Sequence, residues 1–251
     1  MRLLLDLGNT RLKWALEDEG RWHAQGAAAW NDGMELLAST WQALPGPTAA
    51  FGASVVDAAR EQAIAAQVQA LFGLSIDWLR TPASACGVRN AYPEPGRLGV
   101  DRFLAMVAAH AAGVGDCVLV GVGTALTLDA LTADGRHLGG LIAPGPRLMQ
   151  QSLLGATVQV RPRNDGVLVD AADNTSDAVV SGCWHAAAAL VERFVARMAP
   201  RLATAPSVRL DGGDAANLAS LLGLPASMVE HGVLHGLAVW AQTQQGPVAG
   251  H

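Results

Sequence analysis

The sequence predicts an α/β fold of two lobes, each opening on a three-stranded β-meander, with a cleft between them. Three observations carry this reading. A shift of 115 residues lays residues 3–21 on residues 118–136 without a gap, with Leu4/Leu119, Gly8/Gly123, Ala15/Ala130, Leu16/Leu131, Gly20/Gly135 and Arg21/Arg136 identical. Each copy reads as a buried strand (LLLDL, VLVGV), a tight glycine turn, a second strand, and a Glu-Gly or Asp-Gly turn into a third. Helix-like and strand-like stretches alternate through the remainder. The duplication puts the boundary near Gly115, so residues 1–115 and 116–251 are expected to form the two lobes.

Between the copies, the pattern gives a helix over 33–43, a strand over 49–53 and an Ile64/Val68/Leu71 stripe at helical spacing. A strand over 74–79 follows, then an irregular Pro/Gly stretch over 81–96 that opens into an apolar helix from about 99 to 112. After the second meander, Pro144-Gly145 precedes a helix carrying Leu148, Met149, Leu153 and Leu154. A long helix runs from 174 or 175 to 198, where Pro200 stops it. A strand over 207–210, a Gly212-Gly213 turn, a helix through Leu222 and a last helix over 230–242 complete the chain.

Composition removes several classes of function. Apolar residues make up 51% of the 251 against 16% charged, so disorder is excluded as the main state. With 17 Lys+Arg against 22 Asp+Glu the formal charge is −5, and no basic run offers the stripe that a nucleic-acid backbone requires. The opening MRLLLD meets a carboxylate too soon for the core of a signal peptide. The apolar stretch over 103–128 is broken by His110, Asp116 and four glycines, so no membrane span is expected there and a cytoplasmic protein is the default. Cys86, Cys117 and Cys183 are far apart and form no CxxC, which indicates reduced, mostly buried thiols and neither a disulfide frame nor a zinc site.

The chemistry concentrates in the turns. Of the 17 cationic side chains 16 are Arg, and Lys13 is the single lysine, in a position suited to a compact ammonium point charge. In DLGNTRLK, Asp6 ends a buried strand, Gly8 allows a close turn, Asn9 and Thr10 offer short polar groups, and Lys13 follows on the next strand. Such a turn aims backbone N–H groups at anionic oxygens, while the ammonium neutralises charge and the carboxylate holds Mg²⁺. An ordinary Asx turn between hairpin strands would look the same. The second copy, GVGTALTLD, repeats the turn with Thr124 beside it, so two turns facing each other across a cleft would grip a polyphosphate from both sides.

Other constellations carry less. His231 and His235 stand four apart on a helix, but HGVLH lacks the Glu of a zinc-protease motif and reads as a helix-surface pair. The seven Trp, among them Trp14, Trp22, Trp30 and Trp41, read as core. Gly212-Gly213-Asp214 fits either a nucleoside-binding turn or a plain tight turn.

The two turns resemble the phosphate-1 and phosphate-2 motifs of the acetate kinase, sugar kinase, heat-shock chaperone and actin superfamily. More narrowly, DLGNTRLK, PGRLGVDR, GTALTLD, HLGGLIAPG and LDGGDA, in that order and spacing from residue 6 to about 214, resemble the type III pantothenate kinases. The resemblance implies a duplicated ribonuclease H-like (actin-like ATPase) fold. It also implies ATP-dependent phosphorylation of pantothenate to 4′-phosphopantothenate, the first step towards coenzyme A, by a homodimer.

Carried over residue by residue, Asp6, Leu7, Gly8, Asn9, Thr10, Arg11, Leu12 and Lys13 would hold the ATP phosphates together with Thr124, and Asp6 the Mg²⁺ ion. Tyr92, Gly99, Val100, Asp101 and Arg102, with Thr175, would line the pantothenate site, Asp101 acting as general base. A charge favourable to the helix dipole would by itself explain an Asp in the first turn of that helix, though not Arg102 beside it or the only Tyr nine residues upstream.

One position departs from the family pattern. The strand before GTALT usually ends in an aspartate that helps bind an activating monovalent cation, K⁺ or NH₄⁺; here the residue is Gly121, and Asp129 lies eight residues on. Weak or absent dependence on that cation is therefore expected, or a site assembled from other oxygens. Two rival readings are a nucleotide-binding transcriptional accessory protein of the same fold and a kinase for another small hydroxylated substrate. The joint presence of Asp6, Lys13, Asp101 and Arg102 argues against the first, and LGVDR against the second.

Overall fold

A computed structural model describes residues 1–32, 34–156 and 165–244. In chain order they form β1 (Arg2–Leu7), β2 (Arg11–Asp18), β3 (Arg21–Ala29), α1 (Met34–Gln42), β4 (Ala49–Ser54), α2 (Ala58–Phe72) and β5 (Ile76–Leu79). Next come β6 (Ser84–Ala85), β7 (Val88–Arg89), α3 (Val100–Ala111), β8 (Cys117–Val122), β9 (Ala125–Leu131) and β10 (His137–Pro144). The remainder is α4 (Pro146–Ala156), α5 (Thr175–Met198), β11 (Ser207–Asp211), α6 (Ala215–Ala219), β12 (Ala226–Met228) and α7 (Gly232–Gln244).

The two sheets have the same plan. One runs β3-β2-β1-β4-β5 and the other β10-β9-β8-β11-β12, each an antiparallel meander continued by two parallel strands. The duplicated, meander-first fold read from the sequence is therefore present. The copies are not in register strand by strand, however. Leu7 faces Leu12 across the first turn, whereas Val122 faces Leu126 across the second, whose loop is one residue shorter. At the following turn Asp18 faces Arg21, but Leu131 faces His137. The ungapped 115-residue match thus reproduces topology and turn glycines without reproducing cross-strand partners.

The division of the chain differs from the expected 1–115 and 116–251. One unit is Met1–Gly113 together with the segment from His231; the other is Val114–Glu230. The physical reason is α7. Gly236 lets it approach α3 so closely that a Cβ there would lie 2.0 Å from the Leu104 carbonyl oxygen. Leu234, Leu237, Trp240 and Ala241 of α7 then join Leu4, Phe51, Ala53, Val100 and Leu104 in one core cluster. On the opposite face of that sheet, Leu3, Leu5 and Leu7 alternate towards Trp41, Ile64 and Val68. With helices on both faces, β1 is buried along its whole length, which explains the apolar run from Leu3 to Leu5.

Two small elements went unread. Within 81–96, β6 and β7 form a hairpin whose two turn residues, Cys86 and Gly87, both have left-handed backbone (φ 50° and 81°). β12 pairs in parallel with β11.

In the second unit α5 packs Trp184, Ala187, Val191 and Phe194 against Val118, Val120 and Leu128. Residues Thr175–Arg201 have the length and hydropathy of a membrane span, and 44% of the apolar 18-residue stretch within them is buried in the structure, as in the core helix of a folded domain. Leu153 and Leu154 of α4 are more than a third exposed, so the stripe read from the sequence does not enter the core. All three cysteines are free, and burial pushes the Cys117 thiol up to about 11.

Asp116, 5% exposed at the entry to β8, ties this sheet to two loops. It accepts the Thr204 N–H (2.7 Å), the Ala133 N–H (2.8 Å) and the Thr204 hydroxyl (3.2 Å). The Thr204 and Ala133 amides hold its carboxyl below the ordinary carboxylate value. A depressed folded-state pKa stabilises above the unfolded pKa and loses that stabilisation as pH falls through the folded value. Asp116→Ala is therefore expected to melt below wild type at pH 7, with the gap closing at acid pH, once the carboxyl is protonated in both folded and unfolded chains. Thermal melts from pH 7 to pH 3 check this; a gap independent of pH would exclude the carboxylate as its source.

Candidate active site

At the end of β1 the chain must reverse within four residues. The Gly8 N–H donates to the Arg11 carbonyl (3.1 Å). A Cβ on Gly8 would lie 3.2 Å from that same oxygen, so glycine serves close approach rather than a left-handed turn. The Gly8 carbonyl accepts the Trp30 indole N–H at 2.8 Å. Asp6, 8% exposed, stands directly opposite Lys13 in the β1–β2 register. Strand alternation places both on the sheet face of Leu4 and Ala15, the face covered by α3 and α7. Val100 at the start of α3 shares that cluster with Ala53, which is the β4 partner of Asp6. The α3 N-terminus, carrying Asp101 and Arg102, thus packs on the face of the sheet to which Asp6 and Lys13 belong. The C-terminal ends of parallel strands are where such folds bind ligands.

Gly99 caps α3 and leaves room for the Asp101 carboxylate to fold back over it. The Asp101 Oδ1 accepts the Arg102 N–H (2.9 Å), and a Cβ on Gly99 would lie 2.5 Å from that oxygen. Arg102, 6% exposed, donates to the Tyr92 hydroxyl (3.2 Å), its guanidinium 5.9 Å from the Tyr92 ring centroid. The structure therefore brings Tyr92, Gly99, Asp101 and Arg102 together. Two residues that sequence reasoning missed fix this segment. The Thr81 hydroxyl donates to the Leu98 carbonyl (2.8 Å). The Asn90 amide donates to the carbonyls of Pro95 (3.1 Å) and Pro82 (3.4 Å) and accepts the Tyr92 N–H (2.9 Å). An Asn in a Pro/Gly stretch was the available signal.

In the second unit three turns converge on the end of β8. The Gly123 N–H donates to the Ala125 carbonyl (3.0 Å), and the Gly145 N–H to the Thr124 carbonyl (2.8 Å). A Cβ on Gly145 would lie 2.0 Å from the Gly123 carbonyl oxygen. Gly212, at φ 117°, sits so close that a Cβ would lie 2.2 Å from the Val122 carbonyl oxygen. Asp214 accepts from Arg147 Nε at 2.9 Å on both carboxylate oxygens. Arg147 and Gln150 of α4, with Asn217 and Ser220, rim a cavity of about 300 Å³ with Trp184 and Val180 in its wall. None of these rim residues stood out in the sequence. Thr175 lies exposed at the first position of α5, beside its cap Asn174.

Gly121 faces Thr127 across β8–β9, and a Cβ on Gly121 would lie 2.5 Å from Thr127 Oγ1. Asp129 instead faces Leu119, and its Oδ1 pairs with His137 Nε2 at 2.9 Å in the core. His235 stacks on Trp22 with ring centroids 4.4 Å apart, and His231 lies 5.6 Å from it. No cluster of three or more metal-ligating side chains occurs among the described residues.

The family model for type III pantothenate kinases matches residues 2–197. A protein named type III pantothenate kinase from Aromatoleum aromaticum is 41% identical over 244 residues, covering 96% of this chain and 98% of its own. This chain belongs to the type III pantothenate kinase family. The type III pantothenate kinase of Laribacter hongkongensis is 42% identical over 238 residues, covering 95% of this chain and 97% of its own. Among solved structures, one from Campylobacter jejuni titled as a putative Baf family transcriptional activator has a TM-score of 0.61 at 17% identity, covering 96% and 98%. An activator of 2-hydroxyisocaproyl-CoA dehydratase from Clostridium difficile, bound to ADPNP, has a TM-score of 0.52 at 12% identity, covering 97% and 94%. At these identities the two structures show a shared fold alone.

For a kinase of this family, the Gly99–Asp101 contact generates a prediction. Gly99→Ala puts a methyl group where the Asp101 oxygen lies and displaces the carboxylate. Turnover is expected to fall about 10²-fold with the melting temperature little changed. Steady-state kinetics beside a thermal melt check it, and wild-type turnover would show that the carboxylate position does not matter.

Proposed function

We propose that this chain transfers the γ-phosphoryl group of ATP to the 4′-hydroxyl of pantothenate, giving 4′-phosphopantothenate and ADP. The observation that carries the reading is the Tyr92–Arg102–Asp101 cluster at the start of α3, on the same sheet face as Asp6 and Lys13, in a chain matched over nearly its whole length by type III pantothenate kinases.

In this reading the pantothenate hydroxyl oxygen forms a bond to the γ-phosphorus, and the bond from that phosphorus to the bridging oxygen of ADP breaks. Asp101 takes the hydroxyl proton. Tyr92, Gly99, Val100 and Arg102 position pantothenate, with Thr175 completing its pocket in a homodimer. Residues 6–13 hold the phosphates through backbone N–H groups and the Lys13 ammonium, and Thr124 contacts ATP. Gly212 to Asp214 and the cavity rimmed by Arg147 and Asn217 suit the nucleoside, offering a flat apolar wall and amide partners. Asp6 is a buried carboxylate beside this turn, a hard oxygen donor fitted to Mg²⁺; the bound ion would neutralise charge on the transferring group. A cytoplasmic location follows from the use of ATP and from a reaction that supplies coenzyme A synthesis.

The monovalent cation does not fit. Gly121 presents no carboxylate, Thr127 fills the space a side chain would need, and Asp129 is engaged by His137. What remains there, one hydroxyl and backbone carbonyls, lacks the anionic ligand that an aspartate would supply, which weakens the hold on K⁺ or NH₄⁺.

Phosphate transfer from ATP with Mg²⁺ is expected with pantothenate and absent with sugars or acetate; transfer to a sugar instead would overturn the substrate assignment. Asp101→Asn should lower kcat roughly 10²–10⁴-fold with pantothenate binding retained, and undiminished turnover would remove Asp101 from the mechanism. Rates in Tris or Na⁺ buffer should be unchanged by added K⁺ or NH₄⁺. Strong activation would show that other oxygens supply a cation site.

A further inference from the structure

We infer that Trp30 is a positioning residue for the ATP phosphates, holding the Gly8 carbonyl so that the Asn9 N–H is aimed at them. The inference rests on the reading that residues 6–13 bind the phosphates.

A trans peptide is planar, with its C=O and the following N–H pointing in opposite directions. Fixing the Gly8 carbonyl therefore fixes the Asn9 N–H. The Trp30 indole does this with a 2.8 Å hydrogen bond on one side, and the 3.1 Å bond from the Gly8 N–H to the Arg11 carbonyl closes the other. Glycine at position 8 has no side chain to restrict its own dihedrals, so an outside contact is needed to fix its carbonyl. Asn9 and Thr10 are exposed at its tip, where an anion could reach their amides.

The indole is itself held in place. Arg11 pairs with Ala29 across β2–β3, which delivers Trp30, the next residue, to the side of the turn. Arg60 lies over its ring at 5.2 Å from the centroid, and Arg60 in turn is 3.6 Å from Asp57, the cap of α2. Trp30 is half-buried, its ring packed against the cluster that holds Trp14 and Trp41. Its polar edge has a defined partner, which a purely packing role does not require.

The second unit solves the same problem differently. There the carbonyl that is held is that of Thr124, one residue beyond Gly123, the counterpart of Gly8, and backbone holds it, through the Gly145 N–H at 2.8 Å. In the first turn a side chain, Trp30, holds the Gly8 carbonyl, so in this turn the brace can be removed by substitution.

Trp30→Phe keeps an aromatic face for Arg60 and deletes the donor. The expected result is a KM for ATP raised about five- to tenfold, as for loss of one hydrogen bond, with the same change in the Kd of ADP measured by calorimetry with Mg²⁺. The KM for pantothenate and the melting temperature without ligand should stay at wild-type values. If Trp30→Phe does not fold, benzothienylalanine introduced at position 30 keeps the two-ring volume without the N–H and should give the same split. Wild-type affinity for ATP and ADP in either variant overturns the inference, as does an equal rise in both KM values with a lowered melting temperature, which marks a structural role. Lys13→Ala separates the two readings. If it weakens ATP binding while the Trp30 variants do not, the brace alone fails; if it leaves ATP binding intact, residues 6–13 do not bind phosphate.

Discussion

A carboxylate at the end of a strand buried on both faces is costly unless an opposite charge or hydrogen bonds meet it, and the first unit is arranged around that constraint at Asp6. Lys13 stands opposite, at the about 4.5–5.5 Å Cβ separation of cross-strand neighbours. To bring it there the chain must reverse within residues 8–11, which requires Gly8 against the Arg11 carbonyl. The same reversal exposes Asn9 and Thr10 at its tip. This is the place proposed above for an anion with a divalent cation, where the ammonium and amides would meet negative oxygens and the carboxylate the metal.

Duplication has kept the scaffold and changed the chemistry. In the second unit the cross-strand pair corresponding to Asp6 and Lys13 is Gly121 and Thr127, without charge. Its turn is shorter and is packed by glycine at positions 145 and 212, whose missing side chains let two further turns touch the end of β8. Polar side chains in this unit pair elsewhere, Arg147 with Asp214 at the cavity and His137 with Asp129 in the core. The asymmetry fits the roles proposed above, with the metal at Asp6 of the first copy and the nucleoside at the cavity of the second.

Much of this was legible from residues alone, because local rules sufficed. The LLLDL and VLVGV runs, the Ile64/Val68 stripe and the Asn174 cap each fix an element within a few residues. The turn residues 6–13 and the cluster at 99–102 were likewise visible as motifs. Long-range facts were not. Nothing near Gly236 says that it will meet Leu104, more than a hundred residues away, so α7 was assigned to the wrong unit. The Cys86-Gly87 turn and the three-residue β12 lack the length and β-branched residues that mark strands. Trp30 packs against the core, as its ring predicts, but the partner of its N–H depends on the tertiary fold.

A crystal structure with a non-hydrolysable ATP analogue, Mg²⁺ and pantothenate tests most directly whether residues 6–13 bind the ATP phosphates. Phosphate oxygens are expected at about 3 Å from the Asn9 and Thr10 N–H groups and from Lys13 Nζ, with the Gly8 carbonyl still held by Trp30. Phosphates bound away from this turn, with Lys13 making no contact to them, would contradict it.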